Sequence, residues 1–113
     1  MKTLLAAAGL AMAATVPAVA QELNDFPTNA RADYVFVCMA TNGQTRVMLD
    51  KCSCAIDQIA SVLSYDDYVK AETVLRMQNA TGGRNEMFRG MPVMEEMVAN
   101  LRRAEAEAEI LCF

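Results

Sequence analysis

The chain carries four cysteines, and two of them stand one residue apart in Lys51-Cys52-Ser53-Cys54. Cysteine in such numbers serves thiolate metal sites, thiol–disulfide exchange or structural bridges. Zinc sites pair their ligands at C-x2-C spacing. Disulfide-exchange enzymes use C-x-x-C at the start of a helix that follows a strand, and neither spacing occurs here. On a helix, Cys52 and Cys54 point about 200° apart, so they cannot bond to each other without unwinding it. Each needs another partner, and structural bridges are the expected use of Cys38, Cys52, Cys54 and Cys112.

Two further sets of side chains could hold a metal. Met87, Met91, Met94 and Met97 recur at steps of four, three and three. Thioethers suit Cu(I), and methionine surfaces also suit adaptable protein contacts. Met94 and Met97 also fall on a helical apolar stripe, so packing is the first expectation for them. Asp57, Asp66, Asp67 and Glu72, with Tyr65 and Tyr68 nearby, offer oxygens to a hard cation such as calcium or a lanthanide. The D-x-[DN]-x-[DN]-G loop of a calcium hand is absent.

Histidine is absent too. That removes Ser-His and Cys-His pairs, the H-E-x-x-H zinc helix and C-x-x-C-H haem attachment. No glycine-rich phosphate loop is present. Asp66-Asp67 and Glu95-Glu96 read as solvated charges near helix starts rather than as acid–base pairs. The chain is expected not to be an enzyme and to need no cofactor.

The start of the chain points to an oxidising compartment. MKTLLAAAGLAMAATVPAVAQE combines Lys2, an apolar run from Leu4 to Val16 and the small-x-small triplet Ala18-Val19-Ala20, the pattern of a cleaved secretory signal peptide over residues 1–20. Of ten Lys and Arg, one is Lys2, so the mature chain from Gln21 carries nine basic and fourteen acidic residues, a net charge of −5. That balance argues against nucleic acid as a partner. No later stretch is apolar enough to span a bilayer. Periplasmic or secreted localisation follows, with no membrane attachment after cleavage.

The elements that position these residues read as helices. Residues 21–29 (QELNDFPTN) form a polar, flexible arm, and residues 30–113 one helical domain. ARADYVFVCMAT (30–41) ends at Asn42-Gly43. With the following TRVML it also fits a β-hairpin about a type I′ turn, but the second arm continues in helical period. Met48, Cys52, Ala55, Ile59 and Val62 make one apolar stripe of a helix over about residues 45–63. Ser64-x-x-Asp67 is a cap for the next helix, supported by Asp66–Lys70 and Glu72–Arg76 pairs. Residues 79–90, with Gly82-Gly83, read as a loop. Pro92 suits the first turn of a last helix striped by Met94, Met97, Leu101, Ala104, Ala108 and Leu111.

A hairpin of the first two helices sets Cys38 level with about residue 50, nearer Cys52 than Cys54. Cys38–Cys52 with Cys54–Cys112 is therefore preferred, and Cys38–Cys54 with Cys52–Cys112 stays open. The expected fold is all-α, a small disulfide-stapled bundle of about four helices.

YVFVCMATNGQ, KCSCAIDQIAS, YDDYVKAETV and the terminal RAEAEAEILCF resemble a group of small exported four-cysteine helical proteins of methylotrophic and related bacteria. The resemblance covers most of residues 34–78 and the last few residues. The group is associated with periplasmic alcohol oxidation by quinoprotein dehydrogenases, enzymes whose cofactor needs calcium or a lanthanide. It implies an accessory role beside such an enzyme and transfers no catalytic or ligand residue. The expected function is a periplasmic accessory protein that binds another protein. A metal-binding protein or chaperone and a thiol redox protein are the alternatives.

Overall fold

The computed structural model describes residues 24–80 and 90–113. The leader, the first residues of the arm, Met87 and most of the 79–90 loop lie outside the described residues. Four helices are described: α1 Thr28–Asn42, α2 Arg46–Val62, α3 Tyr65–Asn79 and α4 Pro92–Cys112. The fold is all-α, and among the described residues there is no strand.

Local chemistry sets the helix boundaries. α1 starts after Pro27, two residues earlier than expected, and ends where the Gly43 N–H donates to the Met39 carbonyl. Gly43 has φ 118°, a backbone region that side chains with a Cβ rarely adopt. Asn42 does not share that positive φ, which a type I′ turn requires at both residues, so Asn42-Gly43 separates two helices instead of joining two strands. The Thr45 hydroxyl accepts the Met48 N–H at 3.1 Å and caps α2. The Ser64 hydroxyl accepts the Asp67 N–H at 3.1 Å, which realises the cap expected for α3. Pro92, whose missing N–H costs nothing in a first turn, opens α4.

Packing runs α1 on α2, α2 on α4 and α4 on α3. The core gathers Phe26, Ala55, Ile56, Ile59, Ala60, Ala104 and Ala108. Small side chains along α2 and α4 let the two axes approach closely. Ile59 and Leu101 are fully enclosed, each contributing about 1.5–3 kcal/mol relative to exposure. Two bridges fasten this frame: Cys38–Cys52 with Cα atoms 5.9 Å apart, and Cys54–Cys112 with Cα atoms 5.7 Å apart. The first staples the α1–α2 hairpin, and the second ties the end of α4 to α2.

Three expectations change. The arm is not loose throughout, because its last residues are packed. Phe26 is buried, its ring 5.3 Å from Tyr65 and 4.9 Å from Tyr68, and the Asp25 carboxylate accepts the Tyr65 N–H at 3.0 Å. Val62 and Leu111 leave the core stripes and are exposed. Val62 is the last residue of α2, and Leu111 lies about 100° from Cys112, which the bridge turns toward α2. The Glu72–Arg76 ion pair does not form, although both side chains line the cleft described below.

Candidate functional site

Helices α1 and α3 both flank the central frame, yet α1 is anchored on α2 and α3 on α4. The space between them is a cleft of about 1230 Å³. One wall is α1, presenting Asp33, Tyr34 and Val37, and the other is α3, presenting Tyr68, Val69 and Glu72. Arg102 and Glu105 of α4 line it as well. A smaller recess of about 270 Å³ shares Tyr34, Cys38 and Glu105 with the cleft and extends to Glu109 and Phe113.

The wall built by α1 is unusual for its composition. YVFVCMA is one of the most apolar stretches of the chain, yet no residue of α1 is buried. Val37, in the cleft lining, is 57% exposed, and Phe36, outside that lining, 72%. α1 stays in place through the Cys38 bridge, through Tyr34 and Val35 packed against the core, and through the Arg31–Asp57 pair at 3.8 Å.

Electrostatics in the cleft are set by carboxylates and phenols. Burial pushes the Glu72 carboxyl above its ordinary value, and Glu105 pushes it the same way, while Arg76 and Arg102 pull it down. Burial also raises the Tyr34 and Tyr68 hydroxyls. Glu105, Glu109 and Glu72 add to the effect at Tyr34, and Glu72, Tyr34, Glu105 and Asp33 add to it at Tyr68. Glu105 is paired with Arg102 at 3.0 Å. Glu72 has no ion pair and no hydrogen bond among the described residues.

The side chains named from the sequence are dispersed by this arrangement. Every cysteine is in a bridge, so no thiolate is present for metal binding or exchange. The carboxylates do not assemble into a cation cage. Asp57 pairs with Arg31, Asp66 pairs with Lys70, and Asp67 stands exposed in the first turn of α3. Glu72 lies five residues beyond Asp67, about 140° around the helix. Among the described residues no three acidic or cysteine side chains group as cation ligands. Met94 and Met97 are half-buried on α4, and Met91 is exposed at its start.

Of the acidic set, only Glu72 enters the cleft. Tyr34, Asp33, Arg102 and Glu105 escaped the sequence reading, because no spacing in the chain links positions 33, 72 and 105. The one available signal was α1 itself, whose apolar residues occupy more than one face of a helix. Among the described residues no helix is long and apolar enough to cross a membrane. The two bridges are those of a protein held in an oxidising compartment. No protein-family model, no curated protein and no solved structure matches this chain.

Proposed function

We propose that this protein is an exported, disulfide-stapled helical adaptor that binds another protein through the cleft between α1 and α3. The observation that carries the reading is α1, a helix with no buried residue whose Ala30, Tyr34 and Val37 form part of one wall of an open cleft. Exposed apolar surface of this kind marks an interaction site. At about 1230 Å³ the cleft exceeds the roughly 300–1,000 Å³ of small-molecule pockets, which favours a segment of a macromolecule as its occupant. The leader pattern of residues 1–20 supports a periplasmic or secreted setting. The resemblance of its cysteine-bearing segments to four-cysteine exported proteins supports a place beside a quinoprotein alcohol dehydrogenase.

No catalytic step is part of this reading, and nucleic acid is a poor fit to a chain of net charge −4. A hard-cation carrier has less behind it, since Asp57, Asp66, Asp67 and Glu72 do not converge. The test is affinity capture from the periplasm of the cells that make the protein, comparing the wild type with Thr73→Trp. Thr73 lines the cleft and is exposed, so a Trp there fills the cleft without entering the core. A discrete partner recovered with the wild type and lost with the variant is the expected result. Recovery of nothing beyond background, or equal recovery with both, counts against the reading.

A further inference from the structure

We infer that the occupant of the α1–α3 cleft is a helical segment presenting a lysine or arginine from an otherwise apolar face, with its cation seated at Glu72 beside Tyr34 and Tyr68. This rests on the docking reading above and names the chemistry of the partner. Two observations carry it. Ala30 and Val37 on one wall and Val69 on the other supply apolar surface. A helix of about 10–12 Å diameter lying between two helices buries such surface on both sides. Among these side chains stands Glu72, half-buried and without an ion pair or hydrogen bond among the described residues.

A carboxylate in that position is a desolvation cost in the free protein, and an incoming cation with its donors removes it. The tyrosine rings add to the preference, because their faces attract ammonium and guanidinium groups. Glu105 is already committed to Arg102, Arg76 lines the cleft without an ion pair to Glu72, and Asp33 adds a further negative charge on the opposite wall. The charge of the chain separates this occupant from a second copy. Two chains of formal net charge −4 meeting at clefts whose linings hold three carboxylates, Asp33, Glu72 and Glu105, against two arginines, Arg76 and Arg102, bring like charges together.

The experiment titrates the oxidised protein with two fluorescent helical peptides of about 18 residues, five turns, built from Leu, Ala and Gln. They differ only in carrying Lys or Glu at the centre of the apolar face, and binding is read by anisotropy at low ionic strength. The Lys peptide is expected to bind at least about tenfold more tightly than the Glu peptide. Glu72→Gln should erase that preference, while Asp50→Asn, on α2 and outside the cleft lining, should keep it. Near-ultraviolet dichroism establishes that each variant is folded. Equal binding of both peptides by the wild type overturns the cation assignment and leaves the docking reading standing. Binding of neither overturns both. A preference that survives Glu72→Gln overturns the assignment to that carboxylate.

Discussion

Glu72 is where sequence and environment disagree most sharply. A carboxylate on a helix whose other acids face water is placed instead in a half-buried cleft, with Glu105 across from it. Its raised folded-state value means that the neutral form is the one favoured by folding. The associated stability is fully present below the ordinary carboxyl value of 4.5 and is lost as pH rises through the folded value. Glu72→Gln removes the penalised charge. We expect the variant to melt higher than the wild type at pH 7, with the difference vanishing below about pH 4.5; a thermal melt series across that range checks the sign.

The four sulfurs differ in the same residue-level way. Cys52 is fully enclosed, whereas Cys38, Cys54 and Cys112 are partly covered, so the Cys38–Cys52 bridge offers one reachable sulfur and the Cys54–Cys112 bridge two. A small reductant reaches a bridge through its exposed sulfur. Brief reduction of the native protein followed by alkylation and peptide mapping should therefore label Cys54 and Cys112 before Cys38 and Cys52.

The elements were legible wherever a local rule decides. Ser64-x-x-Asp67, Pro92 and Asn42-Gly43 mark boundaries that the structure keeps, each for a reason contained in a few adjacent residues. Gly43 makes the point quantitatively: with φ 118° and ψ 147°, Gly43→Ala should destabilise the fold by about 1–3 kcal/mol. Open space around that position excludes a steric clash as the cause. Chemical denaturation measures the loss, and an unchanged midpoint contradicts the assignment of the helix break to backbone conformation. The arm was misread because its anchoring is not local. Asp25 caps α3 from forty residues earlier in the chain, and Phe26 packs on Tyr65 and Tyr68 across the same distance. A polar stretch with a proline carries no sign of that.

At the scale of the whole molecule, two bridges and a short core hold four helices, and the arm closes one end. Phe26 is its plug, so Phe26→Ala should cost about 3–5 kcal/mol, as large truncations in a core do. A loss below 1 kcal/mol would show that the end residues of the arm contribute little to the fold. The bridges close loops with sequence separations of 14 and 58 residues. In the chain-entropy account each contributes about 3–4 kcal/mol, comparable with the whole net stability of a small domain. A frame stapled this strongly does not need α1 buried to stay folded. That allows α1 to keep Phe36 and Val37 in solvent and to stand across an open cleft from α3. The cleft itself was not legible, because it depends on how α1 and α3 are held on opposite parts of the α2–α4 frame.

The central claim is that this cleft is the surface on which a partner docks. It is tested most directly by photo-crosslinking in the cells that make the protein. A photoreactive amino acid is placed singly at Val37 and Val69 in the cleft and at Ile110, which is 83% exposed and outside it. Val37 and Val69 should give the same discrete adduct, and Ile110 should give none. An adduct formed from Ile110 alone, or none from either cleft position, contradicts the account.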